Sequence, residues 1–170
     1  MSNRSKCSFA LLCAAVVLIA VYASAQSDGP EPAPRFTAKT MRGESFTNAS
    51  TKGKVVLLEF WATWCPYCRN EEAILDDLDH EFASKGLILL AVDVGESKKT
   101  VKQYLAAHPR SRRIVLMEDT NLAAMYQATS YPIYVLIDRD GNIAREQRGA
   151  AGERALRRML AEAGIIEEAK

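Results

Sequence analysis

The sequence predicts an α/β fold: a central mixed sheet, helices on both faces, and a β-hairpin added on the N-terminal side. Three observations predict it. Apolar runs suited to buried strands alternate with stretches of helical period in the order β-α-β-α-β. The Asp140-Gly141 pair then marks a hairpin, and an amphipathic helix closes the chain. Finally, Cys65 and Cys68 fall where the first buried run gives way to helix.

Each element has its own signal. Arg35 to Phe46 holds Phe36, Thr37, Thr40 and Phe46 around Arg42-Gly43-Glu44, a short hairpin turning at Gly43. Asn48 to Lys54 is a polar loop, and Val55 to Trp61 is a strand buried on both faces. From Pro66 to about Ser84 the chain follows a helical period. Ile74, Leu75, Leu78 and Phe82 recur on one side, and Glu71, Glu72, Asp76, Asp77 and Asp79 fall largely toward solvent. Lys85-Gly86 supplies the stop. Leu87 to Val94 is a second buried strand. Ser97 to His108 is a helix with Val101, Tyr104 and Leu105 inward and Pro109 beyond its end. Ile114 to Met117 is a third strand, Asn121 to Gln127 a short helix, and Ile133 to Ile137 a fourth strand that pairs antiparallel with Ile143 to Gln147. Glu153 to Ala163 turns Leu156, Met159 and Leu160 inward.

The chain has 170 residues, 48% hydrophobic and 25% charged, enough for one domain with a full core. Residues 1–25 read as an export signal: Arg4 and Lys6 precede an apolar stretch from Phe9 to Tyr22, and Ala23-Ser24-Ala25 resembles a signal peptidase site. The alternative is a retained membrane anchor, since the stretch lies near the lower limit of roughly 17–20 residues for a span. Leu12 before Cys13, where a small residue is needed, argues against a lipoprotein. Residues 26–34 (QSDGPEPAP) are a proline-rich linker, and 35–168 form the domain. Either address puts the domain in a bacterial periplasm or its equivalent.

The formal charge of +1 becomes −1 without Arg4 and Lys6, 20 basic against 21 acidic side chains, which gives no reason to expect nucleic acid as a partner. Arg110, Arg112 and Arg113 cluster near Lys98, Lys99 and Lys102. The grouping reads as a solvated face, with a docking patch for an acidic partner as the alternative.

Of the four cysteines, Cys7 and Cys13 fall in the export segment, leaving Cys65 and Cys68 in the domain. So close a pair closes too small a loop to staple a fold. A zinc site needs four ligands. No second CxxC exists, and His80 and His108 lack ligand spacing, so no metal is expected. What remains is redox chemistry. A thiolate at a helix start faces unpaired N–H groups and the positive end of the helix dipole, which lowers the pKa of Cys65. Cys68, one turn on, is placed to attack a mixed disulfide at Cys65. Pro66 suits the first helical turn.

Four stretches resemble the thioredoxin superfamily, and more closely its exported TlpA/ResA-like thiol–disulfide oxidoreductases, which include the cytochrome c maturation thioredoxins. They are Gly53 to Leu57, Phe60 to Glu71 (FWATWCPYCRNE), Tyr126 to Asp138, and Gly141 to Gly149, within a likeness over roughly residues 30 to 165. The resemblance implies a thioredoxin-like fold, Cys65 as attacking and Cys68 as resolving nucleophile, and Pro132 as a cis-proline facing the pair. It implies that Glu59 is a buried acid beneath the cysteines, its pKa raised by desolvation, able to exchange a proton with Cys68. Glu71 matches an acid that ResA-like proteins place after the second cysteine. Trp61 and Trp64 wall the site, and Trp64, Pro66, Tyr67, Tyr131 and Pro132 meet the substrate. Two departures stand out: Ala73 replaces a common proline, so the usual helix kink is expected to be absent, and Tyr131 before the proline is unusual.

The implied activity is reduction of disulfides in partner proteins by a monomeric enzyme with no cofactor beyond its own cysteine pair, recharged by a membrane-borne thiol donor. Alternatives are a periplasmic dithiol oxidase or isomerase, and a copper-handling module whose two thiolates hold Cu(I). All versions that exchange disulfides require a water-accessible sulfur at Cys65.

Overall fold

A computed structural model describes residues 29–166. The proposed export signal, the start of the linker and the last four residues lie outside them. Among the described residues no helix is long and apolar enough to cross a membrane.

One seven-stranded sheet organises the chain, in the order β2-β1-β5-β4-β3-β6-β7. Its strands are β1 (Thr37–Thr40), β2 (Ser45–Thr47), β3 (Val55–Trp61), β4 (Leu87–Asp93), β5 (Arg113–Thr120), β6 (Ile133–Ile137) and β7 (Ile143–Arg148). β3, β4 and β5 run parallel, and β6 and β7 add antiparallel beside β3. The β1–β2 hairpin, turning through Gly43 at φ +92°, joins the far edge by pairing β1 with β5. That pairing carries β5 to Thr120 rather than Met117. Glu118, Asp119 and Thr120 look like loop in sequence, but Thr120 pairs with Ala38 across a register shift that follows the Thr40–Val115 pair, and so extends the strand.

The helices are α1 (Pro66–Asn70), α2 (Glu72–Phe82), α3 (Lys98–Ala107), α4 (Leu122–Met125) and α5 (Gly152–Glu162). Strand alternation divides the core. Val55, Leu57 and Trp61 of β3 face one side with Leu75, Leu78, Phe82, Val101 and Leu156 of the helices. Val56, Leu58 and Phe60 face the other with Phe36, Leu122 and Tyr126. Helices therefore cover both faces, the mixed α/β arrangement the sequence predicts.

Two local expectations are corrected. The helix expected from Pro66 to Ser84 is broken at Glu71, where the backbone sits at φ −104°, ψ 0°, although Ala73 supplies no proline. Part of the supposed linker is docked: Ala33 N–H donates to Gly141 O at 2.9 Å, Ile143 N–H donates to Glu31 O at 2.7 Å, and Ala33 is buried. Elsewhere the local signals hold. Ser97 caps α3 by accepting from Thr100 N–H at 3.2 Å, and Gly86 at φ +96° ends the turn after α2.

Candidate active site

The site lies at one end of the sheet, where β3 stops. Trp61 stands opposite Asp93, the last residue of β4, and Phe60 pairs with Ile133, the first residue of β6. The register thus brings the start of β6, with Tyr131 and Pro132, to the edge from which the Ala62–Cys65 turn leaves. The Tyr131–Pro132 peptide bond is cis.

Cys65 caps α1 with extended backbone, and its Sγ accepts from the Cys68 N–H at 3.1 Å. Pro66 occupies the first turn, where its missing N–H costs nothing. Cys65 and Cys68 are disulfide-bonded, with Cα atoms 5.3 Å apart. Around them Trp64 and Tyr67 are 61% and 63% exposed, and Trp64 meets the Tyr131 ring edge-on at 5.7 Å. Trp61 is instead fully buried core. The expectation of an open sulfur is not met in this disulfide-bonded state: Cys65 keeps only 3% of its surface, its sulfur bonded to Cys68 and accepting from the Cys68 N–H, whereas the access that exchange requires is that of the reduced thiolate.

Glu59 is fully buried on β3. Its Oε2 accepts from Arg112 Nε at 3.1 Å, and its Oε1 has no partner among the described residues. Burial pushes its carboxyl above the ordinary range, and Arg112, then Arg110, pull it back. Arg112 is itself fully buried and also donates to Asp76 Oδ1 at 2.7 Å and to Glu72 O at 3.0 Å. Arg110 is buried 4.3 Å over the Trp61 ring and pairs with Glu72. Burial, and then Arg112, pushes its pKa down to about 9. The arginines read as a solvated face are therefore, at Arg110 and Arg112, interior groups that neutralise acids of β3 and α2. The reason is visible afterwards: a carboxylate inside an apolar strand needs a cation, and local sequence cannot say which one.

Glu71, read on the helical pattern as solvent-facing, is 4% exposed. Its carboxylate accepts from Tyr134 OH at 2.7 Å, from Ala151 N–H at 2.9 Å and from Gly152 N–H. The last two are unpaired donors at the head of α5, which has no side-chain cap of its own. Drawing this side chain inward accounts for the break between α1 and α2. Asp79, also placed on the solvent side, is buried within 3.7 Å of Arg113.

Sequence reasoning missed a second acidic group beside the redox turn. Asp93 is fully buried, its Oδ1 accepting from Glu96 N–H at 3.3 Å and its Oδ2 without a partner. Burial first, and then the Glu96 carboxylate, pushes its pKa up to about 8. Because the folded pKa lies above the unfolded one, the folded chain holds an extra proton between about pH 4 and 8. Asp93's contribution to stability is present below that range and is lost as the pH rises through it. Asp93→Asn should therefore raise the denaturation midpoint relative to wild type at pH 9 more than at pH 5. Thermal melts at the two pH values check this, and an equal change at both would refute it.

A model of the AhpC/TSA family matches residues 30–146. The chain is 36% identical over 115 residues to the thioredoxin-like protein YneN of Bacillus subtilis (strain 168), covering 66% of this chain and 67% of that protein. It is 31% identical over 147 residues to the thiol-disulfide oxidoreductase ResA of the same organism, covering 84% and 82%. Among solved structures it is similar to a thiol:disulfide interchange protein of the thioredoxin family from Chlorobium tepidum TLS, with a TM-score of 0.70, 28% identity, and coverage of 81% of this chain and 98% of that one.

Proposed function

The chain belongs to the AhpC/TSA family and is a thioredoxin-like thiol–disulfide oxidoreductase, and on that premise we propose that it works as an exported reductase of protein disulfides. The observation that carries this reading is the Cys65–Cys68 disulfide with the Cys68 N–H directed at Cys65 Sγ, 3.1 Å away. After reduction, that donor favours the thiolate of Cys65, the form that attacks.

The exchange balances as follows. The Cys65 thiolate attacks one sulfur of a substrate disulfide, forming a mixed disulfide and releasing the other substrate sulfur as a thiolate. Cys68 loses its proton and attacks Cys65 Sγ. The second substrate sulfur leaves, both electrons now reside on the substrate, and the enzyme is disulfide-bonded. In this reading Glu59, buried with its Oε1 free, exchanges a proton with Cys68, and Glu71 acts from the helix break beside the pair. The exposed Trp64 and Tyr67, with Pro66, Tyr131 and Pro132, present the partner's peptide. The cysteine pair is the whole redox group, and a membrane-borne thiol donor recharges it. Apocytochrome c or copper-site cysteines are the substrates that the resemblance to cytochrome c maturation proteins suggests, and the periplasm is the compartment that residues 1–25 suggest.

Trapping tests it. Cys68→Ala should accumulate mixed disulfides on Cys65 with partner proteins in cells, and Cys65→Ala should accumulate none. The reduction potential decides direction. A value near thioredoxin's, about −270 mV, supports the reductase, and one near about −120 mV makes the protein an oxidant and overturns the proposal.

A further inference from the structure

Thr63 lies two residues before Cys65 and is gripped from the loop after β4. Its N–H donates to Glu96 Oε2 at 2.5 Å, and its hydroxyl donates to Glu96 Oε1 at 2.6 Å. Both carboxylate oxygens are thus spent on one residue, 33 positions away in sequence. Thr63 is the first central residue of the turn closed by Cys65 N–H donating to Ala62 O at 3.1 Å, and Trp64 is the second. On the other side, Val94 N–H donates to Trp61 O at 3.0 Å. We propose that Glu96 is a positioning residue for disulfide exchange: by clamping Thr63 it fixes the turn that aims Cys65 and presents the exposed Trp64 ring. The inference rests on reading Cys65–Cys68 as the redox pair.

The chemistry of the clamp argues for a functional role. The turn already closes through its own backbone hydrogen bond, and two carboxyls at close quarters cost stability. Here Asp93 lies behind the clamp, fully buried, holding the Glu96 N–H and leaving Oδ2 unpaired. Among the described residues no cation pairs with Asp93, and its acidic neighbour is Glu96. Two other groups feel the pair: Tyr131 from the start of β6 senses Asp93, and Tyr104 from α3 senses Glu96. At neutral pH Asp93 keeps its proton, while both oxygens of Glu96 accept from Thr63. As the pH rises through about 8, Asp93 becomes charged where it holds the Glu96 N–H, behind the clamp. The grip on the turn, and with it the aim of the nucleophile, then depends on pH in the range where disulfide exchange runs.

The test uses the reduced full chain and two readouts: the rate of Cys65 alkylation by iodoacetamide between pH 6 and 9, and the rate of insulin reduction. Glu96→Ala should slow insulin reduction by up to about 10²-fold, the order that a 1 Å misplacement of a reacting group can cost, and should change the shape of the alkylation profile above pH 7. Glu96→Gln keeps one acceptor for the Thr63 N–H and can donate to the Thr63 hydroxyl. It should restore the rate near pH 7 to within about threefold of wild type, but with the altered profile. Thr63→Val, which removes one of the two bonds, should give an intermediate loss. The proposal is overturned if Glu96→Ala leaves both readouts at wild-type values. It is equally overturned if Glu96→Gln is as slow as Glu96→Ala while both melt lower by the same amount, since that is a purely structural loss. A wild-type protein that alkylates at Cys65 but reduces no disulfide would count against the proposed function, and the alkylation profiles would still decide the role of Glu96.

Discussion

Arg112→Met is expected to destabilise the folded protein by about 3–5 kcal/mol, the cost of stranding a buried charge when its partner is removed. Arg112 and Glu59 are both fully buried, and Arg112 also holds Asp76 Oδ1 and Glu72 O. Without the guanidinium, Glu59 keeps the desolvation that already raises its pKa and loses the largest influence lowering it. The variant's Glu59 must then take up a proton. Its folded pKa rises further above the unfolded value, so its stabilising effect is retained at low pH and lost as the pH climbs. The deficit should accordingly be larger at pH 8 than at pH 5. Urea titrations at the two pH values measure it as a shift in midpoint at constant slope. The double variant Glu59→Leu/Arg112→Met should recover most of the loss, because a well-packed apolar pair can replace a buried ion pair at little cost. A single variant within about 0.5 kcal/mol of wild type would mean that the pair is not formed.

That result would also sharpen the proton chemistry. If Glu59 serves the cysteines, the double variant should regain stability without regaining exchange activity at the wild-type pH dependence. Stability and activity would then separate within one buried pair. This separates a proton-exchanging acid from an acid that merely balances Arg112.

The sheet was legible because its signals are local or periodic. VVLLEFW and LILLAVD cannot face water on either side, and the strands they predict appear where expected. Asp140-Gly141 placed the β6–β7 hairpin, and the cysteine pair at a strand-to-helix junction placed the chemistry. What stayed hidden were the polar contacts between side chains distant in sequence. Arg112 reaches Glu59 across 53 positions, Glu96 reaches Thr63 across 33, and Glu71 reaches Gly152 across 81. In a linear reading Arg112 and, on the helical pattern, Glu71 take their default place in water, because charged side chains are buried only when paired. One clue was available: Glu59 inside an apolar run demanded a cation, and Arg112 stands directly before β5, which pairs with β4 beside it. No comparable clue marks Glu96, which follows a glycine in an ordinary polar loop.

Glu71→Ala should cost about 3 kcal/mol, through the fold rather than through lost charge at the surface. Three donors converge on this one carboxylate: the Tyr134 hydroxyl, itself fully buried, and the Ala151 and Gly152 N–H groups. Hydrogen bonds to a charged acceptor are worth about 1.5–3 kcal/mol each, and a buried donor left without a partner pays its full desolvation penalty. The three losses are not additive, since a helix end can fray toward water and recover part of the cost. Glu71→Gln keeps one carbonyl oxygen but turns an NH2 toward donors, so it should lose roughly half as much. Tyr134→Phe removes a single donor, leaves the α5 contacts in place, and should cost about 1 kcal/mol. Amide hydrogen exchange locates the damage. In Glu71→Ala the first turn of α5 should exchange faster while β3 and β4 hold their protection, because the carboxylate ties that helix to the break between α1 and α2. Uniformly faster exchange, or none, would show that Glu71 is not the link between the redox helix and α5.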